Sequence, residues 1–152
     1  MGFLALLLGL LLNCATVMFH VTAVAIALPK IKMQAVSPLG RSRAWETAPI
    51  MSVAILGLLV LQLLSAAVWG FVFCSTGMEP NFHKAMFLAL IAISALGGDT
   101  TALASPWRLL VPLAAINGAL LFGLSTAVMF RLVTVFHFSE AEVRQTNRPA
   151  DR

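Results

Sequence analysis

Four stretches of the chain carry no charged residue: Met1–Pro29, Thr47–Met78, Ala85–Gly98 and Leu109–Phe130. Three of them reach the roughly 20 apolar residues that a helix needs to cross a bilayer core. They predict transmembrane helices over Phe3–Leu28, Ala48–Cys74 and Trp107–Phe136. The fourth run, "AMFLALIAISALG", is shorter. Its Ala, Leu, Met and Phe favour helix, and Asn81 stands where an N-cap belongs. A helix of about 12 residues is only ~18 Å long, well short of the hydrocarbon thickness.

The stretch "ISALGGDTT" at residues 93–101 ends that run with two glycines and an aspartate. Unpaired backbone groups facing lipid cost several kcal/mol each. A loop there that dips into the membrane must therefore be buried in protein or line a watery cavity. The pattern predicts a re-entrant helix and loop over 80–105. An interfacial helix on the membrane surface, or a short fourth span, fits the same residues.

Between the first two spans lies "KIKMQAVSPLGRSRAWET", polar, basic and broken by Pro38 and Gly40, which reads as an exposed loop. Its Lys30, Lys32, Arg41 and Arg43 against Glu46 leave a net charge of +3. An excess of Lys and Arg in a short loop marks the cytoplasmic side. The N-terminus is then expected outside and the C-terminus inside. The first segment lacks a basic n-region and is too long for a signal-peptide h-region, so it reads as a span. "LLLNC" is a poor lipoprotein box, because Asn13 is not the small residue such a site needs.

Composition agrees with this pattern. Hydrophobic residues make up 60% of 152 and charged residues 11%, against about a quarter charged in an ordinary soluble domain. The net charge of +4 is spread over loops and tail and does not suggest nucleic acid. The bilayer itself is the expected partner. Two cysteines, Cys14 and Cys74, define neither a disulfide framework nor a metal site and are expected as buried structural thiols. Trp45 and Trp69, near the ends of the second span, are expected at headgroup level. His20 is expected as a packing histidine inside the bundle. His83 and Lys84 are expected in solvent, and Arg108 at the headgroup level. The third span carries Ala115, Gly118, Ala119, Gly123 and Ser125, small residues that let helices approach closely. Pro112 and Gly118 also ease bending. The chain shows no Ser-His-acid set, no paired carboxylates and no His/Cys cluster with metal spacing. It is not expected to be an enzyme, and no cofactor or resident metal is expected.

Three quoted stretches, over about 58–130, resemble small bacterial potassium-channel-like proteins with a pore-loop domain. "LVLQLLSAAVWGFVF" is similar to the outer helix and "FHKAMFLALIAISALGGD" to the pore helix and filter. "SPWRLLVPLAAINGALLFGLSTAVMF" is similar to the inner helix and is the most specific match. The resemblance implies a homotetramer around one axis, with filter carbonyls replacing the water shell of a potassium ion. Aligned on the terminal Gly-Asp, Ser94, Ala95, Leu96 and Gly97 take the first four filter positions, and Gly98 and Asp99 the last two. Asp99 would then sit at the outer mouth, where an acid concentrates cations. The filter lacks the family's Tyr and is one residue short, about 3.3 Å of extended chain. Ala95 replaces the family's threonine, and Ala114 stands where its inner helix carries an acid.

The expectation is an all-α integral membrane protein with three transmembrane helices and a re-entrant pore loop. Its parts are an N-terminal helix (1–29), a basic cytoplasmic loop (30–47), a pore domain (48–137) and a cytoplasmic tail (138–152). Within the pore domain come the outer helix (48–75), the pore loop (80–105) and the inner helix (107–137). Gly118 and Gly123 are the inner-helix hinge or packing positions. The expected activity is passage of potassium or another monovalent cation through a degenerate filter at 94–99, in a bacterial inner membrane. The alternative is a non-conducting relative serving as a structural or accessory subunit.

Overall fold

The computed structural model describes residues 2–35, 44–94 and 106–146. They form four helices: α1 (Gly2–Ala35), α2 (Ala44–Ser75), α3 (Phe82–Ile93) and α4 (Leu110–Thr146). No strand occurs among the described residues. Three helices are long and apolar enough to cross a membrane, over Gly2–Pro29, Ala48–Ser75 and Leu110–Thr134. At 1.5 Å per residue, 25 residues span about 37 Å, more than the ~30 Å hydrocarbon core.

Side-chain contacts give the helix directions. Gly2 lies by Leu109, Gly9 against Leu110 and Leu113, Thr16 against Asn117, and His20 by Ser125. Numbers rise together on both helices, so α1 and α4 run parallel. Ser65 meets Asn117, while Leu58 and Leu132 line one cavity further along, so α2 runs antiparallel to both. One end of the bundle thus gathers the start of α1, the end of α2 and the starts of α3 and α4.

The turn from α2 into α3 is locally determined. Gly77 has φ +71°, a left-handed conformation that costs glycine little. Its N–H donates to the Cys74 carbonyl at 3.1 Å, and Met78 N–H to the Phe73 carbonyl at 3.1 Å. These two bonds are a Schellman ending, and Met78 packs in the same apolar cluster as Phe73. Asn81 then caps α3 as expected: its side chain accepts from the N–H groups of His83 and Lys84.

α3 folds back along α2. A Cβ at Gly70 would stand 3.1 Å from Met86 Cα, so the two backbones are close. Ala66 on α2 and Ala85, Ala89 and Ala92 on α3 are buried in that seam. Small residues allow such an approach where dispersion, rather than water exclusion, holds helices together. Trp69, Phe73, Leu110 and Val111 join the same cluster.

The outside of the bundle is apolar. Phe3, Phe71, Phe87, Phe122 and Phe130 are each more than 60% exposed. Soluble monomers rarely show contiguous apolar surface on this scale; lipid or neighbouring copies would cover it.

Helix limits differ from the expected ones. α1 continues through Pro29 to Ala35, since Pro removes one N–H but the following Lys, Ile, Lys and Met are adequate helix formers. α2 starts at Ala44, so residues 30–35 and 44–47 of the expected basic loop are helical; 36–43 lie outside the described residues. Pro106–Leu109 form a turn and α4 starts at Leu110. Pro112 falls in its first turn, where the N–H has no helical partner to lose. α4 also continues to Thr146, into the expected tail.

Candidate functional site: the end of α3 and the polar layer behind it

Within the described residues, α3 ends inside the bundle rather than at its edge. A Cβ on Gly118 would overlap the Ile93 carbonyl oxygen and stand 2.6 Å from its carbon. Gly118 is eight residues into α4, about 12 Å of helix rise. The carbonyl end of α3 therefore sits deep beside α4, while its N-terminal end stays level with the turn at Gly77. A helix C-terminus carries roughly half a negative charge, so this end favours a cation. The role of Gly118 is packing: it is the notch that admits α3. Gly123 has nothing within 4 Å of a would-be Cβ and packs on nothing within the described chain.

Ser94 is the C-cap of α3, exposed, with its hydroxyl donating to the Ile91 carbonyl at 3.0 Å. The other expected filter positions, Ala95, Leu96, Gly97, Gly98 and Asp99, lie outside the described residues. Ala114, where the resemblance calls for an acid, is fully buried among apolar neighbours. An apolar side chain is what that environment accommodates.

Behind this notch runs a polar layer that the sequence reading did not assemble. Asn117 on α4 is fully buried; its Nδ2 donates to Ser65 Oγ on α2 at 3.0 Å. Thr16 Oγ1 on α1 donates to Asn117 Oδ1 at 2.8 Å. Asn13 Nδ2 donates to the carbonyls of Gly9 at 2.9 Å and Leu113 at 3.1 Å. One asparagine thus joins all three spans. A second group sits further along, where His20 Nε2 is 3.4 Å from Ser125 Oγ. Asn13 Oδ1, His20 Nδ1 and Gln62 Oε1 are buried with no partner among the described residues. A signal existed: positions 13, 16 and 20 follow helical spacing and are the polar or ionisable members of one face in an otherwise apolar span.

The strength of this layer is bounded by its alternatives. Thr16 Oγ1 is also 2.8 Å from the Leu12 carbonyl, and a hydroxyl has one proton to give. Losing Asn117 leaves Thr16 a bond within its own helix. Asn117→Leu is accordingly expected to cost only about 1–2 kcal/mol, and its coupling to Thr16→Val about 0.6 kcal/mol. A double-mutant cycle of unfolding in detergent measures both; coupling above about 2 kcal/mol would contradict this.

Other expected positions divide. His20 is buried and packed, as expected. His83, Lys84 and Arg108 are exposed. Trp69 does not turn its ring outward: it is fully buried, its ring 5.9 Å from that of Phe73. Four residues N-terminal to Phe73, it points into the α2–α3 seam, which needs a large side chain between alanine-rich faces. Cys14 is exposed on the outer face of α1 and Cys74 is half-buried, so neither is a buried thiol. α1 turns its face with Asn13 and Thr16 inward, which places Cys14 outward. Among the described residues no three His, Cys, Asp or Glu side chains gather as a metal site.

These features define an all-helical protein whose three apolar helices suit a membrane, with a short fourth helix lodged among them. Compared with known proteins, the chain matches no family model, no curated protein and no solved structure.

Proposed function

We propose that the chain is a subunit of a potassium-channel-like cation channel in a bacterial inner membrane, with its N-terminus outside. Four copies surround one axis, α3 serves as pore helix, and residues 94–99 form the filter before the chain returns to α4. The observation that carries this reading is the seat of the Ile93 carbonyl on Gly118, which puts the negative end of α3 deep in the bundle. The reading requires the segment between Ser94 and Pro106 to return to the face from which α3 enters, and irregular backbone at membrane depth is tolerable only beside protein or water. The filter, one residue short and without Tyr, passes monovalent cations with weak discrimination.

A second reading is a non-conducting relative that keeps the pore-domain fold as an accessory subunit. The shortened filter favours it. Reconstitution in liposomes separates the two. The channel reading expects potassium flux from assembled protein, and a Tyr inserted between Gly97 and Gly98 should raise potassium-over-sodium selectivity. A correctly assembled tetramer without flux, before and after insertion, supports the accessory subunit instead.

A further inference from the structure

We propose that Asn117 is a positioning residue for the end of α3: its hydrogen bond to Ser65 sets the register of α4 against the α2–α3 hairpin, and with it the depth at which the Ile93 carbonyl comes to rest. The two helices of the hairpin move as one. The turn through Gly77 and Met78 ties their ends, and Gly70 lies against the backbone of Met86. The Gly118 notch that receives α3 belongs to α4. Which α4 residue meets Ile93 therefore depends on how far α4 slides along the hairpin.

The apolar contacts do not fix that position. α4 contributes Leu110, Val111 and Ala114 to the cluster it shares with α2 and α3. Dispersion between such side chains is non-directional, and lipid tails are as apolar as they are. The notch is a single glycine. A slip of one helical turn would bring Ala114 or Phe122 to the place of Gly118, each with a Cβ where the Ile93 carbonyl now sits.

Asn117 supplies what the apolar faces lack. It is fully buried, and so nearly is Ser65. Its Nδ2 donates to Ser65 Oγ at 3.0 Å. The bond lies level with the seat on both sides. Asn117 precedes Gly118 by one residue, about 1.5 Å of rise. From the Gly70–Met86 contact, five residues back along α2 and seven forward along α3 bring Ser65 within about 3 Å of the level of Ile93. A slip would strand both groups in an apolar seam, where an unpaired polar group is costly. One buried asparagine fixes helix register in this way in coiled coils, at some cost in stability. The bond thus selects among positions more than it strengthens them, in keeping with the modest loss expected for Asn117→Leu.

Double electron–electron resonance on the full chain in vesicles tests this. Spin labels go on Phe87→Cys of α3 and Phe130→Cys of α4, both exposed positions, with Cys14 and Cys74 replaced by alanine and labelled chains diluted in unlabelled ones. Helix rise puts the two labels about 27 Å apart along the bundle. The parent chain should give one narrow distance. Ser65→Ala should raise the population displaced by one turn, ~5 Å, about threefold or more, and Asn117→Leu should do the same. Thr16→Val is the control: it removes the bond of Asn117 to α1 and leaves Ser65 in place, so its distance should stay that of the parent. A Ser65→Ala distance as narrow and as long as the parent's would overturn the proposal, whether or not Asn117→Leu folds by circular dichroism. So would an equal displacement in Thr16→Val. The distance needs no conduction. Where the channel reading also holds, Ser65→Ala should lower potassium flux and Thr16→Val should not; absence of flux from the parent chain would count against that reading alone.

Discussion

Gly118→Ala should unseat α3. The added methyl would overlap the Ile93 carbonyl oxygen and lie 2.7 Å from Ile93 Cα. These are backbone atoms at the end of a packed helix, so no side-chain rotation relieves the clash. Overpacking of this kind costs about 1–3 kcal/mol, and backbone-on-backbone contact belongs at the upper end. The change also gains about 1 kcal/mol of helix propensity, too little to compensate. A net loss of about 2 kcal/mol is expected, and more for Gly118→Leu. The three spans need not separate for this to happen. The loss should appear first as faster proteolysis or thiol labelling in the α3 region, with helix content by circular dichroism nearly unchanged. An alanine variant as stable and as protected as wild type would mean that α3 does not rest on α4.

Trp69→Ala should be the costliest single truncation. Trp69 is fully buried and shares with Phe73, Ala85 and Ala89 the cluster that holds α3 against α2. Truncating a buried aromatic residue to alanine costs about 3–5 kcal/mol. In a bilayer the driving force is lost dispersion contact rather than exposed area, because lipid replaces the ring poorly inside a packed seam. Trp69→Phe separates the ring from its nitrogen. Nε1 has no partner among the described residues, so phenylalanine forfeits only volume and should cost less than half as much. Chemical unfolding of the two variants in one detergent gives the comparison. Equal losses would show that the indole nitrogen has a partner in the membrane.

The three spans were legible because charge-free length is a direct physical requirement of the bilayer. α3 and its Asn81 cap were legible too, since capping and helix propensity act locally. The helix limits were less so: a proline stops a helix in water more readily than one whose following residues still favour it, as at Pro29. The inward face of Trp69 was not legible, because distance from the span end says nothing of rotational position around α2, which puts the ring in the α3 seam. Gly118 was recognised as a small residue, but its partner was not, because a long-range contact of one carbonyl leaves no mark on local pattern. The polar layer was missed for a related reason. Asn13, Thr16, Ser65 and Asn117 come from three separated segments, and each alone looks like a scattered polar residue in a hydrophobic run.

The central claim is that the chain after α3 returns to the face from which α3 entered. A membrane-impermeant thiol reagent on sealed, oriented vesicles tests it, using chains with Cys14 and Cys74 replaced by alanine. Asp99→Cys should react from the same side as Glu79→Cys and from the side opposite Ser37→Cys. Reaction of Asp99→Cys from the Ser37 side, or only with a lipid-soluble reagent, would contradict the account.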